Sequence, residues 1–149
     1  MRIAVGSDHA GFELKEHVRV ALERAGHEVI DVGTTSDEST DYPVPAADAA
    51  RLVGAGDAER AVLVCGSGVG VSIVANKVDG VRAVNAHDPE EAEMSRRHND
   101  ANVLTLAGRR LSAQQADPIV DRFLETGFEG GRHQRRVDQI AAVEREALE

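Results

Sequence analysis

The chain has 149 residues, with 17 Lys and Arg against 26 Asp and Glu, a formal net charge of −9 and 42% apolar residues. That length suits one domain, residues 1–149, able to bury about 70% of the surface its unfolded chain exposes. The acidic balance argues against broad binding to nucleic acid or to an anionic membrane, and no run approaches the roughly 18 apolar residues of a membrane helix.

A single cysteine, Cys65, excludes an intrachain disulfide. The start, Met1-Arg2-Ile3-Ala4-Val5-Gly6, lacks the apolar stretch of a signal peptide, so a cytoplasmic protein is expected. The aromatic residues are Phe12, Tyr42, Phe123 and Phe128 alone, which leaves the core to Val, Ala, Leu and Ile.

In chain order, residues 2–6 (RIAVG) read as a buried strand. Residues 11–25 place Leu14, Val18, Ala21, Leu22 and Ala25 on one helical face, and Gly26 ends that helix. Residues 28–32 form a second strand and 33–43 a polar loop. Residues 44–55 read as a helix with Pro45 tolerated in its first turn. Residues 61–65 (AVLVC) are a third strand, and a glycine-rich turn leads directly into a helix over 69–77.

A fourth strand spans 81–86, and a helix over 89–97 starts from the N-cap Asp88 and Pro89. The fifth strand is 102–107. Helices over 112–126, with Ser112 as N-cap, and 132–148 complete the chain, separated by the break from Gly127 to Gly131.

Five alternations of apolar strand and amphipathic helix predict an α/β fold: a doubly wound, Rossmann-like, five-stranded parallel sheet covered on both faces. With strand order 2-1-3-4-5, the reversal falls between strands 1 and 3. The loops Ser7-Asp8-His9-Ala10-Gly11 and Cys65-Gly66-Ser67-Gly68-Val69-Gly70 then face each other beyond the carboxyl ends, where such sheets bind ligands.

Successive glycines let backbone N–H groups converge on an anion. A dinucleotide fingerprint would need glycine at position 71, where Val71 stands, and the phosphate loop ending Gly-Lys-Ser/Thr is absent, so a nucleotide cofactor is poorly supported. Taken alone, the same glycines also read as a tight strand-to-helix turn. Cys65, before a helix N-terminus, is a candidate base or nucleophile; taken alone it also reads as a small buried hydrophobe.

His17 and His27 read as structural or solvent-facing, and His87 stays ambiguous. His98 lies in the polar cluster Arg96-Arg97-His98-Asn99-Asp100, which reads equally as a solvated helix end. The histidines lack H-x-x-x-H spacing and Cys65 has no cysteine partner, so no metal is expected. Arg132 and Arg136 share a helical face in a basic island and can fork onto a phosphate, or pair with acids on a solvent face. Arg109 and Arg110 follow strand 5 on the carboxyl edge.

Several segments together resemble the family of ribose-5-phosphate isomerase type B, which includes galactose-6-phosphate isomerase subunits. They are Gly6-Ser7-Asp8-His9-Ala10-Gly11-Phe12, Thr40-Asp41-Tyr42-Pro43, Cys65-Gly66-Ser67-Gly68-Val69-Gly70, Ala75-Asn76-Lys77, Arg97-His98-Asn99-Asp100 and Gly130-Gly131-Arg132-His133-Gln134-Arg135-Arg136. The resemblance spans essentially the whole chain in order.

It implies an aldose–ketose isomerase of a phosphorylated sugar, without metal or organic cofactor, working through a cis-enediolate. By resemblance, Cys65 is the base, the amides of Gly66, Ser67, Gly68, Val69 and Gly70 hold the enediolate oxygen, and His98, assisted by Ser67, opens the sugar ring. Asp8 and Asn99 would orient hydroxyls, His9, Arg109, Arg132 and Arg136 match phosphate-binding positions, and Tyr42 and Asp41 line up with a loop near the sugar.

Many members carry threonine where Ser67 stands. A second branch uses a glutamate at the position of Val71, so this chain sides with the cysteine branch. The family forms homodimers, sometimes paired into tetramers, in which two chains share each active site; this implies the C-terminal helix at the dimer interface. Activity is expected to fall at low pH, as acid protonates the groups that must accept a proton. Ribose 5-phosphate is the expected substrate. The alternatives are a 6-phosphosugar such as allose or galactose 6-phosphate, and a non-catalytic phosphosugar- or nucleotide-binding module.

Overall fold

The computed structural model describes residues 1–146; Leu148, assigned above to the final helix, lies outside them. Eleven elements alternate as expected: β1 (Arg2–Ser7), α1 (Phe12–Arg24), β2 (Glu28–Asp31), α2 (Pro43–Gly54), β3 (Arg60–Cys65), α3 (Val69–Ala75), β4 (Ala83–Asn85), α4 (Pro89–Asn99), β5 (Val103–Ala107), α5 (Ala113–Glu125) and α6 (Arg132–Glu144). The strands form one five-stranded sheet, parallel at every pairing.

The strand order is β2-β1-β3-β5-β4, not the expected 2-1-3-4-5. Burial explains the exchange. Every residue of β5 (Val-Leu-Thr-Leu-Ala) is buried, whereas β4 is three residues long and only half-buried. A strand with both faces apolar is stable where neighbours and helices enclose it, so β5 takes the interior place and β4 the edge. The reversal between β1 and β3 is kept.

Side-chain alternation divides the interior into two cores. Ile3, Val5, Val62, Val64, Leu104 and Leu106 point toward α1, α4 and α5. Ala4, Ala61, Leu63, Cys65 and Val103 point toward α2 and α3, whose facing residues are mostly alanine and valine, as the near-absence of aromatics requires. Cys65 therefore belongs to the α2/α3 side.

Phe123 of α5 is fully buried in the larger core. Phe123→Ala is expected to cost about 3–5 kcal/mol of stability by leaving a cavity where no other ring can refill it, which urea denaturation would measure.

Local signals place the element ends. Asp88 caps α4 by accepting from the Glu91 N–H at 2.8 Å, with Pro89 following. Ser112 and Gln115 form a reciprocal capping box on α5. Helix α4 runs two residues further than expected, so His98 and Asn99 stand in its last turn, before Asp100 takes a left-handed conformation at φ 49°.

Arg96, which the sequence places among solvated charges, is buried. It donates to Asp100 Oδ1, to the Ala101 carbonyl and to the Thr126 carbonyl, fastening the end of α4 to the end of α5. Lys15 is buried too, donating to Glu16, Asp31 and the Thr34 carbonyl at 2.8–2.9 Å. Hydrogen bonds from Arg19 and then Lys15 hold the Glu16 carboxyl down at about 2. This cluster ties α1 to the loop that follows β2.

Candidate active site

A cleft of about 580 Å³ opens beyond the carboxyl ends of β1 and β3, lined by Asp8, Tyr42, Cys65, Gly66, Ser67, Val69, Gly70, Ile73, Arg109 and Arg110. This is the strand-order reversal where doubly wound sheets bind ligands. Residues remote in sequence meet there, and the loops after β1, β3 and β5 supply most of the polar groups.

The Cys65 side chain is 5% exposed and sits beneath the turn that opens α3. Its Sγ accepts a hydrogen bond from the Gly68 N–H at 3.2 Å. Gly68 has φ 76°, and a Cβ there would strike the Asn85 side chain, so both backbone and space demand glycine.

Gly70 is required for a different reason. A Cβ would come within 2.6 Å of Tyr42 Cζ, because the tyrosine ring lies against the bare backbone. Ser67 Oγ accepts from the Val69 N–H at 3.2 Å. The Gly68 and Val69 amides thus have partners inside the turn. Val71, where the other branch of the resembled family carries its glutamate, is fully buried in the α2/α3 core, the same core that holds Cys65.

Two residues that carry this geometry escaped the sequence reading. Asn85 donates from Nδ2 to the Ser67 carbonyl at 3.2 Å, and the buried Thr105 hydroxyl donates to the Gly68 carbonyl at 2.9 Å. The available signal was a lone hydroxyl in the otherwise apolar β5. It becomes meaningful only once β5 is known to lie beside β3.

The Asp8 carboxylate, 7% exposed, accepts from the Gly11 N–H at 3.0 Å. His9 Nδ1 accepts from the Thr40 N–H at 3.1 Å and lies 3.3 Å from the Thr40 carbonyl. The Thr34–Thr40 loop that orients His9 is the one anchored by Lys15, and Thr34 and Thr40 hydroxyls lie 3.3 Å apart. Arg109 drapes its guanidinium over Gly66, and its own N–H donates to the Gly66 carbonyl at 3.1 Å.

His98, Asn99, Arg132 and Arg136 do not line this cleft. Helix α4 carries the chain from Asp88, at the carboxyl edge of the sheet, to Asn99, at the edge where β5 begins. Its 11 residues span about 16 Å, so within one chain His98 and Cys65 stand at opposite edges. Helix α6 starts on the His98 side, where the Glu129 N–H donates to the Arg97 carbonyl at 3.1 Å. The His98 ring stacks on the buried His133, with centroids 4.3 Å apart and planes 15° from parallel.

Burial, then the neighbouring His98 and Arg132, push His133 below the usual histidine range. Asn99 lines a separate groove of about 550 Å³ with Asn76, Ile140 and Val143. The sequence-identified residues therefore fall into two groups. One is built on the β1, β3 and β5 loops around Cys65, and the other on the ends of α4 and α6 around His98.

Among the described residues, no helix is long and apolar enough to cross a membrane. The family model of Ribose/Galactose Isomerase matches residues 3–140. Ribose-5-phosphate isomerase B of Escherichia coli is 48% identical over 143 residues, covering 96% of each chain. The structure of ribose-5-phosphate isomerase B from Clostridium thermocellum superposes with a TM-score of 0.96 at 44% identity, covering 98% of this chain and 99% of that one.

The Mycoplasma genitalium enzyme, solved with bound ribulose-5-phosphate, gives a TM-score of 0.93 at 41% identity over 97% of both chains. With its fold and nearly its whole length in common with these proteins, the chain belongs to the ribose/galactose isomerase family.

Proposed function

We propose that this chain is a sugar-phosphate isomerase that interconverts D-ribose 5-phosphate and D-ribulose 5-phosphate without a cofactor, with Cys65 as the base. The observation that carries the chemistry is the Cys65 thiol beneath the Gly66–Gly70 turn, facing a polar cleft. A binding module would need the glycines and arginines but no such group. The sugar follows the relatives, which are ribose-5-phosphate isomerases at 48% and 44% identity over nearly their full lengths.

In the open-chain aldose, the Cys65 thiolate takes the proton from carbon 2. The electron pair moves to form the carbon 1–carbon 2 double bond, and the carbonyl oxygen becomes the enediolate oxygen. The backbone N–H groups of the Gly66–Gly70 turn other than those of Gly68 and Val69, which are bonded within the turn, would hold that charge; one such donor is typically worth about 3 kcal/mol. The carbon 2 hydroxyl proton passes to the carbon 1 oxygen, and return of the abstracted proton from Cys65 to carbon 1 gives the ketose.

Asp8 accepts from a sugar hydroxyl. His9, Arg109, Arg132 and Arg136 hold the phosphate, and Tyr42 walls the sugar. His98, with Ser67, moves the proton that opens the furanose ring, and Asn99 orients a hydroxyl.

These roles need His98, Asn99, Arg132 and Arg136 next to Cys65, which one chain does not achieve. A homodimer in which each site takes the Cys65 half from one chain and the His98 half from the other completes the set. Ile140 and Val143, exposed on α6, give that helix an apolar stripe for the interface.

Incubation with D-ribose 5-phosphate should produce ketose without added metal or cofactor. Turnover of allose 6-phosphate alone would move the substrate to the 6-phosphosugars. Absence of turnover on either, with thermal stabilisation by AMP or NAD but not by phosphosugars, would favour a nucleotide-binding module.

A further inference from the structure

Lys15 has no part in the reading above, yet it is a cation with only 1% of its side chain exposed. Burying an ammonium is costly unless its protons all find partners. Those of Lys15 do: Glu16 Oε1 at 2.8 Å, Asp31 Oδ2 at 2.9 Å and the Thr34 carbonyl at 2.8 Å. The carboxylates balance the charge. The third bond goes to the backbone of a loop, and a neutral carbonyl adds position rather than charge.

Lys15 stands one turn into α1, which opens from the loop that carries Asp8 and His9. Its backbone N–H donates to the Gly11 carbonyl at 2.9 Å, and the Phe12 N–H to the His9 carbonyl at 3.4 Å. From that helix the ammonium reaches across to the loop after β2. Asp31 also accepts from the Gly33 N–H at 2.9 Å, so the start of that loop is gripped twice. Its far end returns to His9: the Thr34 and Thr40 hydroxyls lie 3.3 Å apart, and the Thr40 N–H donates to His9 Nδ1 at 3.1 Å. The backbone of His9 is thus held from α1 and its ring from the loop, and Lys15 joins the two.

We propose that Lys15 is a positioning residue for phosphate binding: it fixes the loop after β2 against α1, so that Thr40 holds the His9 ring in the orientation that meets the phosphate. This rests on the phosphate-binding role given to His9 above. Lys15 does not line the cleft and acts only through the loop.

The site is built so that Lys15 can be removed without stranding a charge. Glu16 and Asp31 keep 32% and 27% of their side chains exposed, and Glu16 retains Arg19 at 2.8 Å. Methionine can fill the place of the lysine stem beside the Phe12 ring.

Lys15→Met should raise KM for ribose 5-phosphate about tenfold, the size of one hydrogen bond to a charged group, and leave kcat nearly unchanged. His9→Gln should raise KM as well. The double variant should be no worse than His9→Gln alone, because both changes remove one contact. An unchanged KM in folded Lys15→Met, or effects that multiply in the double variant, would overturn the proposal. Should Lys15→Met fail to fold, Asp31→Asn and Thr34→Val loosen the same tether at more exposed positions. Each should raise KM, and unchanged KM in both would overturn it equally.

Imidazole nitrogen NMR reads the tether without turnover. The His9 signal, identified by its loss in His9→Gln, should move at Nδ1 in Lys15→Met while the His133 signals stay in place. An unmoved His9 signal would sink the proposal. A wild-type protein that isomerises no sugar, with the His9 signal still moved by Lys15→Met, would refute the proposed function and leave the coupling of Lys15 to His9 standing.

Discussion

Cys65→Ala is expected to lower kcat by about two to four orders of magnitude, the usual contribution of a positioned base, with the fold unchanged. The thiol is nearly buried and small, so alanine fits the space without displacing Gly68 or Asn85. In the proposed site the phosphate and hydroxyl contacts fall to other residues, so KM should move far less than kcat. That split separates loss of a reacting group from loss of binding.

Cys65→Ser sharpens the test. Serine can still accept from the Gly68 N–H, but its hydroxyl gives up a proton far less readily than a thiol, so activity should stay low although the turn's geometry is kept. Steady-state kinetics on ribose 5-phosphate, with circular dichroism of each variant, decide the matter. An alanine variant with near-native kcat would remove Cys65 from the chemistry.

Mixing two inactive variants should restore activity. In the proposed homodimer, Cys65→Ala and His98→Asn would each remove one half of every site. When subunits exchange at equal amounts, half of the dimers are mixed. Each mixed dimer has one site with both defects and one with none, so recovery should approach about a quarter of the wild-type rate.

The expectation follows from helix α4, which carries His98 to the sheet edge opposite Cys65. No repacking within a single chain could bring the two together without dismantling the α4–β5 connection. Refolding the mixture from denaturant guarantees exchange, and the refolded single variants serve as controls. A mixture no more active than its components, with mixed dimers demonstrated by differential tagging, would show that each site is built within one chain.

Much of this molecule was legible from local signals. Hydrophobic periodicity and caps at Asp88 and Ser112 identified each helix, because a helix buries one stripe and satisfies its own ends. Apolar strands without alternation announced a sheet covered on both faces. Cys65, the glycines around it and the loop from Asp8 to Gly11 were visible as chemistry at strand ends. Asn85 and Thr105 were not, because a polar residue in a strand shows its purpose only when its neighbour across the sheet is known.

The sequence by itself determined the order and type of the elements, the cysteine-and-glycine turn and the family, because these depend on residues close together in the chain. Only the tertiary structure decided that β5 lies inside β4, since that choice turns on which strand can have both faces and both edges enclosed. Only it decided that Cys65 and His98 stand at opposite edges of the sheet, and that His98 meets Glu129 and His133. Those are distances between residues remote in sequence, set by how helices cross the sheet rather than by any local pattern.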